Sequence, residues 1–340
     1  MADDQPQEMP LTDDELGLAL RISSLDCRTE AGNVFFNSFS YVRDLREHNY
    51  AACMTNGLRL LVKCKSLDEA GYLRIHKGSA YYWIAMAAFL SYNFEAAAYF
   101  FDAAVSEDLR AGRHPVTSST PSFKFLLVQG DFSEQAAKNL VQELQRRLEF
   151  TINDYNSRPG RTPSHPTLSI EHLREDFILP ALVPANSHLR SLPTALISFT
   201  LEWFHLNLLL DLRAGFGTTE PFMLHLFKGC VLFESILRSN PTRAIPTGAK
   251  TLLLVLQHIR DLLALPNDLP ISSPDFATVI AALPSAGNTI QEAIIYTGRV
   301  RNTLGHSIAW PVQLSNQQYN KLVMMIFTSC FHAIANLYAP

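Results

Sequence analysis

Arg301, Asn302 and His306 stand in the string YTGRVRNTLGHSIAW at 296–310, spaced R-N-x-x-x-H. A guanidinium is permanently charged and presents a fork of donors, and an imidazole exchanges a proton near neutral pH. Brought into one wet pocket, the pair has the ingredients to hold an anion and move a proton beside it. The residues leading into the pair have helical periodicity. With Ile290 at zero and about 100° per residue, Ile294 falls at about 40°, Thr297 at about −20°, Arg301 at about 20° and Leu304 at about −40°. Arg301 therefore sits inside the inward-facing stripe, where a charge is costly unless it is paired or faces a wet groove. Glu234 and Glu292 are the candidate counter-charges. On a continuous helix His306 would point about 140° away from Arg301. Gly305 offers a way round, because a glycine just past the last turn can take the left-handed conformation and reverse the chain. The expectation is that Gly305 does so and swings His306 back towards Arg301.

The elements around the motif read as helices. Short β-branched runs with period-two alternation are rare, while 3.6-residue periodicity recurs along the chain. About nine to eleven helices are expected, and the fold class is all-α. Start signals fall at Thr12/Glu15, Asp131/Glu134, Ser273–Pro274 and Ser315/Gln318, each able to satisfy backbone donors that a helix cannot satisfy itself. In the N-terminal part, helices over about 79–90 and 94–106 are joined by a turn at YNF. Ala97, Phe101 and Ala104 lie at spacings of four and three, so small residues admit a close neighbour and the ring fills the groove. The proline-rich stretch NSRPGRTPSHPTL (156–168) is the best candidate boundary, giving an N-terminal domain over 1–160 and a C-terminal one over 168–340.

Composition narrows the function classes. The 340 residues carry 28 basic and 32 acidic side chains, a net charge of −4, which argues against a histone-like polycation but not against a local basic patch. Cys27, Cys53, Cys64, Cys230 and Cys330 are scattered without a C-x-x-C pair, which reads as thiols in a reducing compartment. The acidic, polar start lacks the basic and apolar segments of a signal peptide, and the most apolar stretch, 81–105, is broken by four polar residues. A soluble, cytoplasmic protein with no membrane partner is expected. G-x-x-x-x-G-K-[ST], H-E-x-x-H and G-x-S-x-G are absent, GFG (215–217) lacks the rest of a dinucleotide fingerprint, and no two histidines are four apart. No metal site and no cofactor are expected.

The C-terminal region, roughly 190–340, resembles the HEPN superfamily (higher eukaryote and prokaryote nucleotide-binding domain), whose nuclease members combine a helical bundle with an R-x4–6-H motif. RNTLGH fits that form, with Asn302 as the polar residue after the arginine. Helices over about 193–212 and 220–238, the motif near the end of a later helix, and a last helix over 316–338 match the order. The hairpin at 79–106 is similar to the second half of a tetratricopeptide repeat, with its A-x3-F-x2-A pattern. Together these make the N-terminal half helical-repeat-like, a sensing or scaffold domain, and the C-terminal half a HEPN-like bundle.

The HEPN resemblance implies metal-independent RNA cleavage by attack of the ribose 2′-hydroxyl on the adjacent phosphate. His306 would then be the acid/base residue, Arg301 the phosphate clamp, Asn302 an orienting or RNA-binding group, and Glu234 a partner of the arginine. It also implies RNA as partner, a homodimer through the C-terminal domain, a protein or nucleotide regulator, and a toxin or defence role. The alternative is a non-catalytic α-helical module that binds a nucleotide or a partner protein. Elsewhere, His205 and His225 read as core or surface histidines and Arg299 as a solvated charge that could touch RNA. Arg146–Arg147 read as the solvated face of a helix, and the aromatic cluster at 81–83 and 99–101 as core.

Overall fold

In a computed structural model, residues 12–13, 16–17, 40–132, 134–159, 166–212, 218–285, 287–306 and 314–338 are described. All the regular structure among them is helical. The start signal at Thr12/Glu15, Cys27, GFG and SIAWP lie wholly or partly outside the described residues.

Two compact units divide at Phe125 and Leu126. In the first, helices α1 (Ser40–Arg46), α2 (Tyr50–Leu67), α3 (Glu69–Arg74), α4 (Gly78–Leu90) and α5 (Phe94–Arg110) follow one another, and a short helix, α6 (Pro121–Leu126), lies at the junction. The α4–α5 hairpin is its most extensive packing. Ala97, Phe101 and Ala104 are all buried there, with Phe101 edged by Phe89. Asn93 caps α5 by accepting from the Ala96 amide, and Tyr92 before it takes a left-handed φ of 61°. The aromatic residues Tyr82, Trp83 and Phe101 pack inside, as expected, but Tyr99 stands in solvent.

The second unit holds α7 (Gln135–Asn156), an irregular helical stretch from Ile170 to Leu189, α8 (Ser191–Leu212), α9 (Glu220–Arg238), α10 (Leu252–Ile259), α11 (Phe276–Ala281), α12 (Ile290–Leu304) and α13 (Asn316–Leu337). The division differs from the boundary expected at 156–168. Helix α7 buries Val141, Leu144, Leu148, Ile152 and Tyr155, at helical spacing, and packs on α8 and α13. That apolar stripe ties it to the C-terminal bundle, so the division falls before α7 and the described residues of 156–168 belong to the second unit. The last helix, α13, is the axis of the bundle and packs on α12, α9, α7 and α8. Its start is the expected Ser315/Gln318 capping box, and a second box, Thr289/Glu292, opens α12. Two other expected caps shift. Helix α7 starts after Glu134 with no side-chain cap, and α11 is capped by Asp275, which accepts from Thr278, instead of by Ser273.

By length and composition the stretch Asn186–Leu212 could cross a membrane, and half of its most apolar 18 residues are buried inside the fold. Its Leu196, Phe199, Trp203, Leu206 and Leu210 are buried, so the bundle core accounts for its apolar character. Cys53, Cys64, Cys230 and Cys330 are buried free thiols.

Candidate functional site

Helix α12 positions Arg301. Its capping box fixes the start of the helix, and Ala293, Ile294, Thr297, Val300 and Leu304 are buried along it. Gly298 allows Ile271 to approach; a Cβ there would lie 2.8 Å from the Ile271 side chain. The register places Arg301 at the edge of the core, half-buried, with Nε donating to Glu234 Oε2 at 2.9 Å. Glu234 is buried on α9, and its Oε1 accepts from Arg238 Nε at 2.8 Å and Nη2 at 2.7 Å. One carboxylate thus sits between two guanidinia. This is the pairing expected of a charge on an inward stripe. Arg238 also donates to the Ala249 and Lys250 carbonyls, which ties it into the fold. Among the described residues Arg301 has no such second anchor, and no group accepts from its terminal nitrogens.

His306 is exposed, and its ring has no partner among the described residues. The left-handed reversal expected at Gly305 does not occur. Gly305 has φ −64° and ψ −16°, its N–H bonds the Arg301 carbonyl, and the His306 N–H bonds the Thr303 carbonyl at 3.3 Å. The glycine serves close approach instead, since a Cβ there would lie 2.9 Å from the Arg301 carbonyl oxygen. Right-handed winding carries through the turn and leaves His306 roughly 140° around the helix end from Arg301. Within one chain the two side chains therefore leave on different sides. Asn302 does not contact His306 either. Its Nδ2 donates to the Ile271 carbonyl at 3.1 Å and holds the loop before α11 against α12. Arg299 donates to the Pro270 carbonyl and lies over the Tyr296 ring.

Two features escaped the sequence reading. The first is a polar network in the N-terminal unit. His76 Nε2 lies 3.0 Å from Asp108 Oδ1, and Ser122 Oγ donates to Asp108 Oδ2. All three residues are buried. The order is histidine–aspartate–serine, with the carboxylate in the middle. The imidazole does not bridge the hydroxyl and the carboxylate, so the arrangement does not activate a nucleophile. Beside it, Lys77 is buried with its ammonium bonded to Glu107 and to the Tyr72 and Ile75 carbonyls. Burial pushes the Glu107 carboxyl up, but hydrogen bonds and charge from Arg110 and Lys77 outweigh it and hold it below the usual range.

The second is a cleft in the C-terminal unit between α7, α8, α13 and the loop before α12, with a volume of about 570 Å³. Arg146 and Arg147 line it. Arg147 is no solvated surface charge, because its guanidinium lies over the Trp203 and Phe204 rings at 4.9 and 5.0 Å. The signal in the sequence was QRRLEF itself. Its second arginine falls near the apolar stripe of α7, but the aromatic residues that receive it are some sixty positions away. Among the described residues no group of three histidine, cysteine or acidic side chains is disposed to hold a metal.

Comparisons with protein-family models, curated proteins and solved structures found no match to this chain.

Proposed function

We propose that the C-terminal unit is a metal-independent endoribonuclease of HEPN type, with Arg301 as phosphate clamp and His306 as acid/base residue. The observation that supports it is the state of Arg301. Glu234 grips it through Nε alone and the open end of the fork reaches solvent, a posture suited to a phosphate. Four residues of helix and turn carry the chain on to an exposed imidazole at the same helix end. Cleavage by an internal 2′-hydroxyl needs a fixed positive charge on the developing phosphorane and a group that transfers protons near neutral pH. Because the two side chains diverge within a chain, the working site is composite, with Arg301 from one copy meeting His306 from a second. Leu208, Leu209 and Leu212 on α8 and Leu224 and Val231 on α9 are exposed and supply apolar surface for such a homodimer. The helical hairpin of the N-terminal unit suits a repeat-like sensing or scaffold domain for a protein or nucleotide regulator. Buried free thiols suit the cytoplasm. A toxin or defence role rests on the family resemblance.

The diverging exit of His306 also favours a second reading, a non-catalytic interaction module, and one experiment separates the two. Purified full-length protein is incubated with total RNA in EDTA, alongside Arg301→Ala, His306→Ala and the two variants unfolded together and refolded as a mixture. The nuclease reading expects fragmentation by the wild type and none by either variant alone. The mixture should recover about a quarter of wild-type activity, since half the dimers are mixed and each has one intact composite site. Intact RNA with folded wild type leaves the interaction module. Activity of the wild type without recovery in the mixture refutes the composite site.

A further inference from the structure

The cleft between α7, α8 and α13 is independent of Arg301, Asn302, His306 and Glu234, none of which lines it. Its volume of about 570 Å³ falls in the range of small-molecule sites. Five charged residues line it: Arg146, Arg147, Arg158 and Lys321 against Asp154 alone. Glu143, just outside, takes hydrogen bonds from Arg146 and Arg147 and leaves the neighbourhood cationic. Lys321 has a carbonyl partner, Pro284, but no carboxylate among the described residues. Arg158 is only 7% exposed at its side chain; it pairs with Asp154 through Nη2, while its buried Nε has no partner among the described residues.

The wall is aromatic. Phe150, 57% exposed, lies beside Trp203 with ring centroids 6.4 Å apart and planes inclined by 29°. Trp203 is fixed from behind by its Nε1 donating to Asn320 Oδ1 at 2.9 Å. A buried polar group completes the site. Asn288 is 2% exposed, lines the cleft, and its Oδ1 has no hydrogen-bond partner among the described residues. A buried amide without a partner is destabilising unless a bound molecule satisfies it.

Cations without full neutralisation, an exposed ring at the mouth and an unsatisfied amide inside match an anion that carries a planar, hydrogen-bonding ring. We infer that this cleft binds a nucleoside phosphate, its phosphate between Lys321 and Arg158 and its base against Phe150, with Asn288 on the base or ribose. Such a ligand uses every feature at once. Inorganic phosphate would leave the ring and the amide idle, and a nucleoside would leave the cations idle.

The test is calorimetry on the full-length protein with AMP, adenosine and inorganic phosphate, and with an oligouridylate as the nucleic-acid probe. AMP is expected to bind with a Kd below about 1 mM and more tightly than either fragment. Lys321→Gln should weaken AMP about tenfold and leave adenosine unchanged, as loss of one charge-assisted contact requires. Phe150→Ala, at an exposed position that does not threaten folding, should weaken AMP and adenosine alike. Arg301→Ala and His306→Ala should bind AMP as the wild type does, so loss of the nuclease reading leaves this one standing. Absence of saturable AMP binding overturns the inference. So does phosphate binding as tightly as AMP, an oligouridylate that binds where AMP does not, or a Lys321→Gln variant indistinguishable from wild type with AMP.

Discussion

Replacing Glu234 by glutamine tests whether the structure holds Arg301 as drawn. The side chain keeps its shape, but the anion shared by Arg238 and Arg301 disappears, and an amide N–H₂ replaces one of the two accepting oxygens. Removing one member of a fully buried pair costs about 3–5 kcal/mol. Here Arg238 and Arg301 are 34% and 32% exposed at their side chains, so water rescues part of each charge and the expected loss is about 2 kcal/mol. Arg301→Gln should cost less, under about 1 kcal/mol, because Glu234 keeps both bonds from Arg238. The two changes share a partner, so the double variant should be less destabilised than the sum by about 1 kcal/mol. Urea denaturation read by far-ultraviolet circular dichroism gives the midpoints, with an unchanged slope as the check that only stability moved. A Glu234→Gln midpoint equal to wild type, or strict additivity in the double variant, would show that the carboxylate does not bind Arg301 in solution. The supported, open-ended clamp would then be lost as an argument for phosphate binding.

Two further outcomes concern the bundle that carries the site. His225 is fully buried, stacked on Phe199 at 4.2 Å, with Nε2 donating to the Phe199 carbonyl and Nδ1 accepting from the Tyr319 hydroxyl. Burial, aided by Lys228 and opposed by the carbonyl bond, pushes its pKa down to about 3. Above about pH 6.5 the imidazole is neutral in both states; below it the unfolded chain takes up a proton that the fold refuses, so stability falls with pH by up to about 2 kcal/mol at pH 5. His225→Gln should flatten this acid limb in urea titrations between pH 7 and 4.5; an unchanged limb would mean that the buried histidine is not its source. Gly229→Ala should destabilise by about 2–3 kcal/mol, because the added Cβ would lie 2.5 Å from the Phe199 ring and 2.8 Å from Ile326; a thermal-melt midpoint within a degree or two of wild type would refute the tight α8–α9–α13 packing.

Residue order alone determined the all-α class and placed several of the helices, α4, α5, α8, α9 and α13 among them. The periodicity of EPFMLHLFKGCVLFESILR places α9 over Glu220–Arg238, and Ser315/Gln318 starts the last helix where the capping box requires. It also showed that a charge at Arg301 needs a partner, because helical phase puts it on the inward stripe. Phase does not say which acid answers. Glu292 was as near in sequence as any, but its carboxylate closes the capping box on Thr289, and Glu234 meets Arg301 only because α9 packs beside α12. Gly305 shows the same limit from the other side. A glycine near a helix end permits a left-handed turn but does not impose one, and the tight right-handed turn against the Arg301 carbonyl decides where His306 goes. The boundary between units and the basic cleft were out of reach for a common reason. Both depend on α7 lying against helices distant in the chain, so that Arg147 meets Trp203 and Asn288 is enclosed. Local sequence sets the dihedral preferences and the faces of each helix; which faces meet is a property of the whole packed core.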